Sequence, residues 1–246
     1  MSDILVTWPR PLKRGLFIER LHRFAATCLV NGAEVLVHVP ATGRMKELLL
    51  AGVEVGLLPA AGEGRKTAWT LTLVRHGGFW VHVDSSGPTR VIPALVRHGL
   101  LPDLAGYLTL SAEPRIPHAD EDGAQQGRFD FLLTHPQRPP LWVEAKSVTL
   151  VREGVALFPD APTPRGVRHL RELARLRLLG QGAAVLFVVQ REDAVEVRPN
   201  CATHPDFGLA LREAEEAGVL LLGVAAQAAW DGLRLARLLP VRTLPC

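Results

Sequence analysis

Phe129-Asp130-Phe131-Leu132-Leu133 and Leu141-Trp142-Val143-Glu144-Ala145-Lys146-Ser147-Val148 are the two runs that decide how this chain folds. Each is short, apolar and rich in aromatic and branched aliphatic residues, the composition of a strand. The Pro136 to Pro140 segment between them reads as the loop of a hairpin. Side chains alternate faces along a strand, so Glu144 and Lys146 share one face while Val143 and Ala145 point to the other. A paired neighbouring strand brings Asp130 alongside. Two carboxylates on adjacent strands supply the hard oxygen ligands that Mg²⁺ prefers, and leave positions open for water and a phosphate oxygen. Mn²⁺ can substitute, and an ammonium beside the pair can orient the water. Charges inside apolar strands cost free energy unless paired or metal-bound, and perturbed ionisable groups cluster at functional sites. The same three residues also fit an ion pair on a solvated sheet face.

The 246 residues, 48% of them hydrophobic, suffice for one large domain or two modest ones with packed cores. No run approaches the roughly 20 apolar residues of a membrane span. Met1-Ser2-Asp3-Ile4 lacks the basic and apolar regions of a signal peptide, so the expected location is the cytoplasm. Cys28, Cys201 and Cys246 are far apart, which argues against a disulfide framework and fits a reducing compartment. Cys201 and His204 lack the further ligands that a closed zinc site needs.

The net charge of +3 excludes a uniformly basic nucleic-acid sponge, and the distribution says more than the sum. Residues 1–90 carry eleven Lys or Arg against seven Asp or Glu, whereas the rest of the chain is slightly acidic. Within that remainder Arg165, Arg168, Arg171, Arg175 and Arg177 face only Glu172 as a local acid. Such a concentration suits a phosphate backbone.

The first third reads as β structure. Phe24 to Val30 and Ala33 to Val39 flank Asn31-Gly32, a strong hairpin signal. Val53 to Leu58, Lys66 to Val74 and Gly78 to Val83 supply a third, fourth and fifth strand, and five strands in this order predict an OB-like barrel. Barrels of that kind bind single-stranded nucleic acid or saccharides. Arg44, Lys46, Arg65 and Lys66 fall in its loops as candidate DNA contacts.

Asp84-Ser85-Ser86-Gly87 marks a boundary, giving an N-terminal domain over residues 1–85 and a second over 86–246. The second opens with a helix over Pro88 to His98, closed by Gly99. A short helix near Leu101 to Leu108 follows, then a strand near Ser111 to Ile116, an acidic mobile loop at His118 to Gly127, and the two decisive strands. Thr163-Pro164 pairs a capping hydroxyl with proline at the first helical position, starting a helix that runs to Leu179. Val167, Leu170, Leu173 and Ala174 form its apolar stripe. Arg168, Arg171 and Arg175 share another face, either a phosphate-tracking surface or an ordinary solvated one. Ala183 to Val189 reads as a buried strand, Pro205 to Ala217 as a helix and Val219 to Ala225 as a strand, so the second domain is α/β.

Phe158-Pro159-Asp160-Ala161-Pro162-Thr163-Pro164-Arg165-Gly166-Val167-Arg168-His169-Leu170-Arg171-Glu172-Leu173, shortly after Glu144 to Leu150, closely resembles the signature of the sugar fermentation stimulation protein A family. The similarity takes in Arg20 to Phe24, Pro40 to Met45, Arg65-Lys66, Trp69, Leu104 to Tyr107 and Arg128 to Phe131, nearly the whole chain. The resemblance implies an OB-like barrel joined to a domain like the PD-(D/E)xK nuclease fold, DNA binding without strong sequence preference, and a regulatory link to sugar use, notably maltose, in bacteria. Carried to matching positions, Asp130 and Glu144 are metal ligands, Glu113 is an upstream acid of the same site, and Lys146 positions or activates a water. His169 and Arg165 then contact the phosphate. One position departs from the family pattern: Ala41 stands where Asn is usual, which removes an amide from a turn or ligand loop.

Three functions follow, in order: a DNA-binding protein on a nuclease-like scaffold, an active metal-dependent nuclease, and a saccharide or small-ligand sensor built on the barrel. No helix-turn-helix signature announces an operator reader.

Overall fold

The computed structural model describes residues 4–41, 43–60, 67–116 and 127–243. In chain order the elements are β1 (Ile4–Thr7), β2 (Lys13–His22), β3 (Ala25–Val30), β4 (Ala33–His38), β5 (Glu54–Pro59), β6 (Trp69–His76), β7 (Phe79–His82), α1 (Gly87–Arg97), β8 (Thr109–Ala112), β9 (Phe131–His135), β10 (Arg138–Val148), β11 (Val151–Arg152), β12 (Val155–Phe158), α2 (Pro164–Leu178), β13 (Gly182–Val189), β14 (Glu196–Pro199), α3 (Pro205–Glu216), β15 (Leu220–Ala229) and β16 (Gly232–Leu239).

Strands β4-β3-β2-β5-β6 pair in that order, and a parallel contact between β4 and β6, Val37 with Trp69 and His38 with Thr70, closes them into a five-stranded barrel. Asn31 and Gly32 both take positive φ, 51° and 80°, as the turn of the β3–β4 hairpin requires. The barrel fills with Phe17, Val37, Met45, Leu57 and Leu71, all buried. Its strand count agrees with the sequence reading, but its strand set does not. β2 escaped notice because Lys13-Arg14-Gly15-Leu16-Phe17-Ile18-Glu19-Arg20-Leu21-His22 lacks a clean period of two, and register shifts interrupt its pairing with β3. The strand expected at Gly78 to Val83 is β7, which leaves the barrel and pairs with β15 through Trp80 and Ala228.

The second half is a mixed sheet in the order β15-β13-β10-β9-β8, with β10, β13 and β15 parallel. β16 is antiparallel to β15 and carries β1 on its other side. Helix α1 covers one face, packing Val91, Ile92 and Leu95 on Leu141, Val143 and Leu186. On the other, Val167, Leu170 and Leu173 of α2 and Phe207 and Leu211 of α3 pack on Trp142, Val148, Val185 and Phe187. β13, buried along almost its whole length, reads as a continuous apolar run for that reason.

Three local expectations are corrected. Leu101 to Leu108 holds only a three-residue 3₁₀ turn, Pro102–Leu104, ended by Gly106 at φ 88°. The strand near Ser111 lies two residues earlier, at β8. Pro136 to Pro140 is not a loop: Pro136-Gln137 makes the turn and β10 already begins at Arg138, its two prolines falling where the register with β9 shifts. Of the acidic loop expected at His118 to Gly127, all but Gly127 lies outside the described residues. Among the described residues no helix is long and apolar enough to cross a membrane.

Candidate functional site

Glu144 and Lys146 project from the middle of β10 toward α2, flanked on the same face by Trp142 and Val148. Both are buried, at 5% and 9% exposure, and the Lys146 ammonium donates to Glu144 Oε1 at 2.5 Å. From α2, the buried His169 brings Nδ1 to 2.7 Å from the same oxygen, off the line a hydrogen bond needs. Its ring rests edge-on against Phe129, and Arg165, exposed in the first turn of α2, donates to its Nε2 at 3.4 Å. Thr163 caps that turn, accepting from the Gly166 amide at 3.2 Å.

Asp130 stands just before β9, where the ladder with β10 runs out. Its Oδ2 accepts from the Ala145 amide at 2.7 Å, replacing a strand partner and fixing the carboxylate beside Glu144. Burial and the charge of Glu144 push the Asp130 carboxyl up from the ordinary range, against the opposing pull of the Ala145 amide, Lys146 and His169. Glu144 moves the other way. Burial alone would raise it, but Lys146 and His169 outweigh burial and hold it below the usual glutamate value.

Glu144 Oε2 is buried and has no hydrogen-bond partner among the described residues. A carboxylate oxygen in that condition is costly unless something positive meets it. With Asp130 adjacent, the donor set fits a hard divalent cation that keeps most of its shell as water or phosphate oxygen. Glu113 does not complete it. Its backbone amide bonds the Asp130 carbonyl at 2.9 Å, yet its side chain is 74% exposed and lies 3.5 Å from Arg128. Among the described residues no group of three or more His, Cys, Asp or Glu side chains is gathered for a metal.

The basic residues fall in two places. Arg44 and Lys46 are exposed on the barrel side of the seam, and Asp160, four residues ahead of α2, accepts from the Arg44 amide at 2.8 Å. On α2, Arg175 pairs with Glu172 at 3.0 Å, and Arg171 lies 3.8 Å from Glu213 of α3, an acid invisible to a reading of α2 alone. Arg168 is half-buried on the same helix. Arg65 and Lys66 lie outside the described residues. Cys201 is disulfide-bonded, which corrects the reading that the cysteine spacing argues against disulfides, while Cys28 is free and buried.

Sequence reasoning missed a polar chain that ties the two halves together. Gln190, at the end of β13, donates to Ser147 Oγ at 2.6 Å and to the Asp84 carbonyl at 2.9 Å, and its Oε1 meets Nδ1 of the fully buried His82. A lone amide ending an apolar run was the available signal. It also missed the role of Arg20, whose guanidinium donates to the carbonyls of Ala41, Gly43 and Arg44.

A closed OB-like barrel followed by a mixed α/β sheet with a carboxylate-lysine cluster defines a two-part class of protein. Residues 18–83 match the family model described as the SfsA N-terminal OB domain, and residues 86–231 match that of the sugar fermentation stimulation protein RE domain. The chain belongs to the sugar fermentation stimulation protein (SfsA) family. It is 44% identical over 216 residues to the sugar fermentation stimulation protein homolog of Moorella thermoacetica, covering 87% of this chain and 90% of that one. With the homolog of Natranaerobius thermophilus the identity is 42%, over 94% and 95% of the two chains. The solved structure of Pyrococcus furiosus SfsA in complex with Ca²⁺ superposes with a TM-score of 0.87 at 25% identity, over 98% of this chain and all of that one.

Proposed function

We propose that this protein binds DNA largely without regard to sequence and holds a divalent cation, Mg²⁺ by preference, at a nuclease-like site formed by Asp130 and Glu144. The observation that carries the reading is the buried, unpartnered Glu144 Oε2 beside a second carboxylate whose charge burial disfavours. The fold of a relative solved with Ca²⁺ supports a hard-cation site in this architecture. Such a cation, when bound, polarises a phosphoryl oxygen and acidifies an attached water. Asp130 and Glu144 are its ligands in this reading, Arg165 reaches a phosphate at the open side, and Lys146 orients a water while neutralising Glu144. Arg44, Lys46, Arg168, Arg171 and Arg175 add phosphate contacts, which give affinity but little sequence information. A link to sugar use then runs through DNA.

The presence of Lys146 in the cluster favours a second reading, in which the cation site cleaves the strand it binds. Glu113 takes part in either only if its side chain turns inward from Arg128. One experiment separates the two. Wild type, Lys146→Ala and Asp130→Asn are incubated with single-stranded, linear duplex and supercoiled DNA in Mg²⁺, Mn²⁺ or EDTA, and retardation and cleavage are scored on the same samples. Cutting that needs metal and disappears in both variants establishes a nuclease. Retardation without cutting leaves a DNA-binding protein, and neither result in any condition overturns the proposal.

A further inference from the structure

The turn between β2 and β3 exposes an aromatic side chain among cations. Phe24 is 45% exposed, the Arg23 guanidinium lies over its ring at 5.6 Å, and the His38 ring lies nearly parallel to it, 21° between planes and 6.5 Å between centroids. His38 is held there, its Nδ1 being 3.1 Å from the Phe24 carbonyl. Isolated surface aromatics are common and need no explanation. This one lines one concavity, and its chain neighbour Arg23 lines a second of different character. One, ≈ 460 Å³, is floored by Phe24, His38, Leu58 and Thr70, and the acid on its rim, Asp84, is already paired with Arg90 at 2.8 Å. The other, ≈ 420 Å³, is lined by Arg20, His22, Arg23, Arg44 and Lys46 with Leu49, with no acid among its described lining residues.

An apolar shelf with a π face beside an unbroken basic wall is what an unpaired nucleotide strand requires, since every base stacks and every phosphate is anionic. A neutral saccharide would use the ring but not the cations. The Phe24 concavity also shares Ala41 and Ser85 with a ≈ 240 Å³ cavity in the seam, whose walls include Ser147, Thr149 and Thr163. Its one carboxylate, Asp160, is engaged by the Arg44 amide. A strand leaving Phe24 along the seam reaches the capping residue of α2, whose first turn carries Arg165.

We propose that Phe24 and His38 form a stacking platform for the unpaired bases of single-stranded DNA, with Arg23, Arg44 and Lys46 holding its phosphates. The proposal rests on the DNA-binding reading above and adds to it a preferred substrate, single strands over duplex.

The test is fluorescence anisotropy of the full chain with labelled oligo(dT) and, separately, a labelled duplex, in EDTA so that nothing is cut. Phe24→Ala is expected to weaken oligo(dT) binding about tenfold, the loss of one stacked base, and to leave duplex binding unchanged. Phe24→Leu, which keeps an apolar side chain without a π face, should lose as much, and Phe24→Trp should retain affinity. If wild type binds both DNAs and Phe24→Leu binds oligo(dT) as wild type does, the platform is wrong and the DNA-binding reading stands. Equal losses on both DNAs also overturn it. If wild type binds neither, both proposals fall. Calorimetric heat with maltose that vanishes in Phe24→Leu would reassign the platform to a sugar.

Discussion

Replacing Lys146 by Met removes the counter-charge of Glu144 while keeping the length of the side chain. Both groups are buried, and the ammonium sits 2.5 Å from Oε1. Breaking such a pair by deleting one member costs ~3–5 kcal/mol, because the remaining charge stays buried and uncompensated. His169, 2.7 Å from the same oxygen, is a second and weaker partner, which puts the expectation near the low end, about 3 kcal/mol. For a chain of this size that is a fall in Tm of roughly 6–12 °C. The sign of the pH dependence follows from the same charges. In wild type the depressed Glu144 pKa contributes stability above the unfolded value, and this is lost as pH falls through the folded one. In Lys146→Met burial dominates, the Glu144 pKa is raised, and the penalty fades as pH falls. The gap between the two proteins should therefore narrow in acid. Ca²⁺ or Mg²⁺ should restore about 2.7 kcal/mol to the variant at a hundredfold excess over Kd. Urea unfolding at several pH values, with and without cation, measures all three. The reasoning fails if Lys146→Met costs less than about 1 kcal/mol, or if the double variant Glu144→Gln/Lys146→Met is less stable than Lys146→Met alone.

Asp130→Asn keeps an acceptor for the Ala145 amide and removes a charge that burial and Glu144 oppose. It should gain ~0.5–2 kcal/mol at neutral pH, lose that gain as pH falls through the raised Asp130 pKa, and abolish the cation-induced rise in Tm seen by calorimetry. His82, pushed down to about 4 chiefly by burial, binds no proton in the folded state where the unfolded chain already does. Stability should fall by on the order of 3 kcal/mol between pH 6.5 and 4, and His82→Gln should flatten that part of the urea profile. Gly43→Ala drives a methyl into the Asp160 carboxylate and should cost ~1–3 kcal/mol by denaturant unfolding, loosening the seam between barrel and sheet. Arg165→Ala should weaken binding to every DNA sequence alike and lower the slope of log K against log salt by about 1.

The strands of the decisive hairpin, the capped start of α2 and the Asn31-Gly32 turn were legible because each is dictated locally: apolar runs bounded by breakers, a hydroxyl before proline, two residues that tolerate positive φ. So was the clustering of Asp130, Glu144 and Lys146, since alternation along β10 and pairing with its neighbour follow from strand geometry alone. What escaped needed partners distant in sequence. β2 is specified by the two strands it joins, not by its own mixed pattern. The outward turn of Glu113 depends on Arg128 across the β8–β9 pair, and the acid nearest Arg171, Glu213, lies in another helix. His82 and Gln190 meet only because β7 leaves the barrel for the larger sheet, a crossing that no periodicity encodes.

The two readings left open for the acid cluster differ in a way the atoms can express. An ion pair kept for structure satisfies the lone pairs of its carboxylate, because an unmet one in the interior cancels what the pair gains. In this protein Lys146 and His169 both crowd one oxygen of Glu144 while the other is buried and unmet, and Asp130 is held alongside it by a backbone amide. A structural pair would have no use for that second carboxylate, whose charge burial and Glu144 both oppose. A divalent cation held by Asp130 and Glu144, as proposed, would relieve the imbalance, and the cost of holding the two acids without one is what Asp130→Asn is expected to return as stability. A variant that gains stability and loses its response to Ca²⁺ in the same step would tie the strain to the site.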